Sequence, residues 1–366
     1  MIYLGVNTGT SADAVDCAAF EISQDGQQFI DAFNIEMPKK IRSNIIELVE
    51  SDIIDVDKIE CLKHQLTGVY VQAVNGLLKK KQWQPHQVRA IGLHGQTIHH
   101  KPDIEYPYTI QLGCACKMAN QVGIEVVDRF REIDIALGGQ GAPLIPVYHQ
   151  YLLKGTPYDE GVFLNLGGIA NVTVVGRESL HGWDIGPANA LMDLWAQDKF
   201  QRPYDENGEI ARSGQVIESL LDDWLADPYF QKECPKSTGR DYFSRNMLEG
   251  VDLDKISLID VMATCCELTA RTVSIDLKKH ADKQAKKALF LYGKGVANGF
   301  LLERLKALMP AYEIKSCDGL GVSADWLEAG LFAWLAYCHV QKIALDLTNI
   351  TGAVRPAILG SSVLVA

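Results

Sequence analysis

Short apolar runs closed by glycine turns alternate along the chain with longer stretches of helical apolar period, which predicts an α/β protein. Ile2-Tyr3-Leu4-Gly5-Val6 is the first run. It passes through Asn7-Thr8-Gly9-Thr10-Ser11 into Ala14-Val15-Asp16-Cys17-Ala18-Ala19-Phe20, a hairpin with a small polar tip. The same design returns where Gly161-Val162-Phe163-Leu164-Asn165-Leu166 turns through Gly167-Gly168-Ile169-Ala170-Asn171 into Val172-Thr173-Val174-Val175. The tips at Gly9 and Gly167 stand 158 residues apart, close to half the chain, which predicts two related α/β lobes. A third glycine loop, Gly293-Lys294-Gly295-Val296-Ala297-Asn298, follows the apolar run 288–292 and leads into an amphipathic segment at 299–309.

The remaining periodicity predicts helices over 41–49, 62–78, 116–122, 188–200, 216–226, 258–279 and 324–339, and strands over 90–93, 108–113 and 124–128. Gly138-Gly139-Gln140-Gly141-Ala142-Pro143 is the strongest flexible punctuation, so the passage between lobes is expected near it. This gives a first lobe of 1–130 plus 345–366 and a second of 131–344, with a ligand cleft expected between them. No long Pro/Ser linker or low-complexity tract separates the lobes, so that cleft is expected to be hinged rather than tethered.

Composition narrows the function. The 366 residues are 47% hydrophobic and 22% charged, ordinary for a globular protein of about two domains. The net charge is −11, and no basic run exceeds Lys79-Lys80-Lys81, which argues against a nucleic-acid partner and for a small-molecule ligand. Nine cysteines form no C-x-x-C pair and read as reduced. The chain enters a strand at Ile2 without the pattern of a signal peptide, and no apolar run reaches the roughly 18 to 20 residues needed to cross a bilayer. A cytoplasmic protein with no membrane partner is expected.

Several polar constellations sit at strand ends, where α/β proteins gather ligands. The turn Gly9-Thr10-Ser11-Ala12-Asp13 offers backbone N–H groups and hydroxyls to phosphate oxygens, although such turns also serve as plain hairpin tips. With the 165–171 hairpin and the 293–298 loop, it suggests three loops converging on one nucleotide. No Walker A spacing occurs, and Gly293-x-Gly295-x-x-Asn298 carries only part of a dinucleotide fingerprint. In Trp183-Asp184-Ile185-Gly186-Pro187-Ala188-Asn189, Pro187 suits a first helical turn, so Asp184 reads equally as a helix cap or as a general base. His94-Gly95-Gln96-Thr97-Ile98-His99-His100 suits sugar hydroxyls or a plain loop better than a metal, since no acidic partner is near. Arg129 and Arg131 offer forks to an acidic substrate, and Asp325 and Glu328 share one helix face. Pro235-Lys236-Ser237-Thr238-Gly239-Arg240-Asp241 is a basic, hydroxyl-rich loop that also fits a helix start.

Read together, these stretches resemble the anhydro-N-acetylmuramic acid kinases of bacterial cell-wall recycling, members of the actin-like, sugar-kinase and Hsp70 ATPase fold group. The resemblance covers nearly the whole chain and rests on residues 9–16, 94–97, 138–146, 165–171, 184–189, 235–240 and Thr351-Gly352-Ala353. It implies two actin-like (ribonuclease H-like) lobes around a nucleotide and sugar cleft. The implied reaction is opening of the 1,6-anhydro ring by water, with ATP phosphorylating the released 6-oxygen. By the same resemblance Asp184 activates the water. Gly9, Thr10, Ser11, Ala12, Asp13, Ala14, Val15 and Asp16 form the first phosphate hairpin, and Asn165, Gly167 and Gly168 the second. Gly293, Gly295 and Asn298 belong to the adenosine loop. His94 and Thr97 contact the sugar, Arg129 or Arg131 its lactyl carboxylate, and Glu328 the sugar end. Mg2+ accompanies ATP, no dedicated metal site in the protein is implied, and a homodimer is allowed. The chain departs from the family at Ala14 and Ala188, where glycine is usual, at Cys114, where an acidic residue is usual nearby, and in the glycine-poorer 292–297 loop. A methyl at 14 or 188 is harmless only where φ is negative. A kinase for another sugar, an ATP-binding switch module and an NAD-dependent enzyme are the competing readings.

Overall fold

Six apolar-leaning residues ending in a polar one make β1 (Ile2–Asn7), which pairs antiparallel with β2 (Ala14–Ile22) from Ile2 opposite Glu21 to Asn7 opposite Asp16. The expected hairpin is therefore present. The computed structural model describes all residues except 10–11, 52–54, 235, 240–241, 250, 252–255, 280–286 and 366. Thr10 and Ser11 lie outside the described residues, as does Arg240.

The chain continues through β3 (Gln27–Glu36), α1 (Lys39–Glu50) and α2 (Val56–Lys81). The Asp55 carboxylate accepts from Asp57 N to start α2, and Lys79, Lys80 and Lys81 fill its last turn, where the helix dipole favours cations. β4 (Val88–Lys101) runs parallel to β1, and its outer half turns back on β5 (Tyr108–Leu112). α3 (Ala115–Val122), β6 (Val126–Asp128), α4 (Phe130–Ala136) and α5 (Ile145–Leu152) follow.

A second meander is made by β7 (Gly161–Leu166), β8 (Ile169–Val175) and β9 (Leu180–Pro187). Then come α6 (Asn189–Phe200), α7 (Glu209–Ser213), α8 (Glu218–Leu225), α9 (Pro228–Gln231), α10 (Asn246–Glu249) and α11 (Leu258–Lys279). β10 (Lys287–Tyr292), α12 (Gly299–Leu308) and β11 (Tyr312–Ser316) complete this part, and α13 (Leu327–Val340) and β12 (Ser361–Val363) end the chain. Strands β3, β9 and β11 were not expected from periodicity. β3 is only partly buried and alternates imperfectly, and β9 carries Asp184-Ile185-Gly186-Pro187, which resembles a helix start.

The two sheets share one plan. The first runs β3-β2-β1-β4-β6-β12 with β5 attached to β4, and the second runs β9-β8-β7-β10-β11. In each, an antiparallel meander of three strands comes first and two later strands add parallel to its first strand. Each sheet has its own apolar core: Leu4, Val6, Tyr70, Ile91 and Met118 are among the residues of the first, and Leu164, Trp183, Leu191, Met262 and Leu289 of the second.

The compact units are Met1–Thr156 with Asp318–Ala366, and Pro157–Cys317. Residues 131–156 and 318–344 thus belong with the first sheet, contrary to the boundaries drawn from the glycine loop. That loop is a clamped corner within the first unit. The buried Asp134 accepts from Gly141 N at 2.6 Å and from Thr351 Oγ1 at 2.7 Å. Helix α5 is likewise held there, with the Tyr151 ring stacked on Trp334 of α13 and its hydroxyl donating to Ser23 O at 3.0 Å.

Helix α13 is buried along most of its length and lies on the centre of the first sheet. A Cβ on Gly5 of β1 would overlap the Ala329 carbonyl, and one on Gly92 of β4 would overlap the Phe332 carbonyl. Backbone meets backbone there, so glycine is required for contact rather than for conformation. Replacing Gly92 by alanine forces the helix off the sheet, and overpacking of this kind destabilises by about 3 kcal/mol. Gly92→Ala is expected to lower the urea midpoint accordingly; an unchanged midpoint would show that α13 can shift freely.

Candidate active site

In the first unit the end of β1 carries Asn7, buried at the edge of the apolar core. Its Nδ2 donates to Glu328 Oε2 at 3.3 Å, on the first turn of α13. Thr8 Oγ1 donates to Gly95 O at 3.4 Å, tying the hairpin to β4. The turn closes through Ala12 N to Gly9 O at 3.0 Å, with Ala12 in the left-handed region at φ 50°. Ala12 and Val15 are buried, the Asp13 carboxylate pairs with Arg42 at 3.0 Å, and Asp16 accepts from Asn34 Nδ2. Ala14 is not among the residues with positive φ, and Ala188 has φ −106°, so neither departure from glycine strains the backbone.

His94 lies on β4 beside Gly95, with its ring stacked on Phe332 at 4.4 Å. Arg131 Nε donates to His94 Nε2 at 2.9 Å, and Arg131 Nη1 donates to Gly141 O at 2.9 Å. Because a guanidinium only donates, His94 Nε2 must be the acceptor and the ring proton sits on Nδ1. That Nδ1 is buried and has no partner among the described residues, as are Asn7 Oδ1 and Gln96 Oε1. Burial, and then the charge of Arg131, hold the His94 pKa well below its ordinary value. Burial also pulls Arg131 down to about 10, against the opposing charges of Glu328 and Asp134. The structure therefore groups Asn7, His94, Arg131 and Glu328. Thr97, three residues along β4, accepts from Gln111 Nε2 at 3.2 Å. Arg129 stays outside the group: its side chain is 63% exposed and lies 4.0 Å from Glu132.

In the second unit Asp184 sits within β9, opposite Asn171 of β8. The expected helix start at Pro187 is corrected: β9 runs through Pro187, Ala188 is the N-cap, and α6 begins at Asn189. Asp184 does not cap that helix. Its Oδ2 accepts from Ser237 Oγ and from Thr238 N, each at 3.0 Å, and no described residue donates to Oδ1. Its backbone is fixed as well, by N–H donation to Lys236 O at 3.0 Å and by Tyr229 Oη donating to its carbonyl at 2.8 Å. Burial pushes the Asp184 pKa up, opposed by the donors Thr238 N and Ser237 Oγ. A partly buried carboxylate with one oxygen held by two donors, and the other without a donor among the described residues, is oriented to accept a proton.

The tip at Gly167-Gly168 turns its carbonyls to α6, accepting from Ala188 N, Asn189 N and Ala190 N, and Asn189 Nδ2 donates to Leu166 O and Gly167 O. The 293–295 loop lies against this hairpin. Gly293 has φ 85°, a Cβ there would overlap Asn165 Oδ1, and one on Gly295 would stand 2.7 Å from Leu166 Cβ. Asn165, Gly167, Gly293 and Gly295 are thus neighbours. The Asn298 side chain caps α12, its Oδ1 accepting from Leu301 N at 3.0 Å. Sequence reasoning passed over Asn7, Phe332, Asn189 and Asp276. For Asn7 a signal existed, a polar residue closing an otherwise apolar strand. The other three are ordinary helix positions until the fold places them.

Two units with the same strand order, each opening on a glycine-tipped hairpin, define the actin-like α/β class that includes sugar kinases. The profile of one such family, anhydro-N-acetylmuramic acid kinase, matches residues 1–364, and the chain belongs to it. The anhydro-N-acetylmuramic acid kinase of Pasteurella multocida is 39% identical over 99% of this chain and 96% of its own length. That of a Sulfurovum species is also 39% identical, over 98% of each chain. Among solved structures, a ROK family glucokinase from Streptomyces griseus in complex with glucose and AMPPNP has a TM-score of 0.39 at 15% identity, covering 92% of this chain and 99% of that one. No helix among the described residues is long and apolar enough to cross a membrane.

The histidines of the first unit give a pH dependence with a definite sign. His94 lies well below 6.5 and buried His149 falls to about 3, so between those values and 6.5 the unfolded chain binds more protons than the folded one. Their contribution to stability is complete above pH 6.5 and declines as the pH drops, by up to about 1.4 kcal/mol per pH unit for each histidine. Thermal melts from pH 7 to pH 5 should show a falling Tm, with a shallower fall in His94→Gln. Equal slopes for the two proteins would count against a neutral, partly buried His94.

Proposed function

We propose that this protein is an ATP-dependent kinase that opens the 1,6-anhydro bond of 1,6-anhydro-N-acetylmuramic acid with water and phosphorylates the 6-oxygen, giving N-acetylmuramic acid 6-phosphate and ADP in cell-wall recycling. Membership of the family supplies the substrate class, and the held carboxylate of Asp184 is the observation that carries the mechanism. Asp184 Oδ1 takes a proton from water as the water oxygen bonds to C1. The C1–O6 bond breaks, O6 accepts the γ-phosphoryl group of ATP, and ADP departs with one proton released to solvent. Partial burial keeps the carboxylate basic, and the two donors on Oδ2 keep its other oxygen aimed.

Residues 9–16 are proposed as one phosphate-binding run and Asn165, Gly167 and Gly168 as the other. Gly293 and Gly295 form the adenosine loop, whose shape Asn298 fixes as a helix cap. Packing of the 293–295 loop against Asn165 and Leu166 supports this grouping. Mg2+ is proposed to arrive with the nucleotide, held chiefly by phosphate oxygens and water. When bound it neutralises charge on the transferring phosphoryl group.

His94, Thr97, Arg131 and Glu328 are proposed to hold the sugar. The buried, unpartnered His94 Nδ1–H and Asn7 Oδ1 offer a donor and an acceptor that a polar ligand would satisfy. Of the two arginines, Arg131 suits the lactyl carboxylate, because Arg129 lies apart on the surface. A cytoplasmic location is proposed as well, in keeping with nine cysteines none of which is in a disulfide.

Mass spectrometry of 1,6-anhydro-N-acetylmuramic acid incubated with protein and Mg-ATP should show a gain of one water plus one phosphoryl group. Asp184→Asn should slow that reaction by about 10²- to 10⁴-fold. A product without the added water, or a fully active Asp184→Asn, would overturn the mechanism. In steady-state kinetics Arg131→Ala should raise the sugar KM at least about tenfold, as loss of a charge-assisted contact does, while Arg129→Ala leaves it nearly unchanged. The reverse pattern would transfer the carboxylate to Arg129.

A further inference from the structure

The clamp on Asp184 raises the question of what holds the clamp. Ser237 and Thr238 sit on an irregular segment, and side-chain positions on such segments are ordinarily loose. Here the preceding residue turns inward. Lys236 has a side-chain exposure of 3%, and its Nζ pairs with Asp276 Oδ2 of α11 at 2.8 Å. Asp276 Oδ1 accepts from Trp183 Nε1 at 2.9 Å, and Trp183 is the residue before Asp184. Lys236 Nζ also lies 5.2 Å from the centre of the Tyr229 ring, whose hydroxyl donates to Asp184 O. With Asp184 N donating to Lys236 O, these contacts form closed loops that begin and end at Asp184.

We propose that the buried Lys236–Asp276 pair, tied to Trp183 and Tyr229, is the positioning unit for Asp184: it holds Ser237 Oγ and Thr238 N against Oδ2 and thereby sets both the aim and the basicity of the carboxylate. The proposal rests on the reading of Asp184 as the base. A buried ion pair is a poor device for stability alone, because desolvation offsets much of its attraction and apolar residues of similar volume often replace it without loss. Its retention beside the reacting carboxylate is explained by specificity of placement. Among the described residues, the titratable and charged groups of this unit are Tyr229 of α9, Lys236 of the clamp segment and Asp276 of α11. Tyr229 is pushed up, by burial first and then by the charges of Asp184 and Asp276, and stays neutral through the working range.

The sign of the effect follows. Donors to Oδ2 favour the charged carboxylate, so loosening them raises the pKa of Asp184, and a base with a raised pKa loses activity at a higher pH as the solution is acidified. The test replaces both partners, Lys236→Met with Asp276→Leu, so that no buried charge is left unpaired. The expected result is a kcat lower by about 10- to 100-fold, KM for sugar and ATP within about twofold, and the acid limb of the kcat/KM profile moved up by roughly one pH unit. A limb left in place with kcat within twofold of wild type would overturn the proposal. Should the double variant fail to fold, Trp183→Phe removes only the Nε1 bond to Asp276; a smaller upward shift of the limb is expected, and an unmoved limb overturns the proposal equally. Asp184→Asn separates the two readings. If it retains activity, the base assignment fails; if it is inactive while the double variant behaves as wild type, only the positioning unit fails.

Discussion

The contact on which the first unit depends is that of α13 backbone against sheet backbone at Gly5 and Gly92. A side chain at either position would hold the helix away from β1 and β4. With none, α13 sits directly on the central strands and its first turns reach the strand ends. Glu328 then meets Asn7, and Phe332, one turn later, stacks on His94. His94 in turn receives Arg131, which also donates to the Gly141 carbonyl, and the Gly141 amide donates to Asp134, whose other carboxylate oxygen accepts from Thr351 Oγ1. One close approach thus fixes a chain of polar contacts drawn from β1, β4, α4, α13 and the segment after it. Dense interiors transmit displacements, so the polar group is only as well placed as that helix.

The second unit uses the same strand order for a different purpose. Asp184 is held on a strand of the meander rather than on a flexible loop, and opposing influences act on its carboxylate. Burial favours the protonated acid, while the Thr238 amide and the Ser237 hydroxyl favour the anion. A base needs both: enough desolvation to want a proton, and enough donation to remain ionised before the proton arrives.

A chain of net charge −11 with an anionic sugar and a nucleotide as its proposed ligands illustrates how little the total charge decides. Exposed charges are screened within about 10 Å at moderate salt, whereas a partly buried guanidinium such as Arg131 acts where screening is weaker. Glu328 and Asp134 balance that guanidinium in the folded protein, and its partner His94 stays neutral. The local arrangement, rather than the sum over the surface, sets the charge that a ligand would meet there.

Periodicity and turn chemistry were enough to read the mixed α/β class, the hairpins at 2–20 and 161–175, the strand before Gly293 and most helices, because those features depend on neighbours a few residues away. The ordered run of polar motifs was enough to point to the family. Other features needed the tertiary structure. Strand β9 was hidden because Gly186-Pro187 imitates a helix start, and the 138–143 loop imitates a domain crossing although Asp134 and Thr351 fasten it inside the first unit. Asn298 reads as a nucleotide contact, and the fold adds that its side chain caps α12; Arg129 and Arg131 are equivalent on paper but only the second packs against His94. Lys236 and Asp276 stand 40 residues apart and nothing local links them. Short-range patterning determined which elements form and which residues could do chemistry. Which of those residues meet, and which carboxylate oxygen is held, was decided by packing between segments distant in sequence.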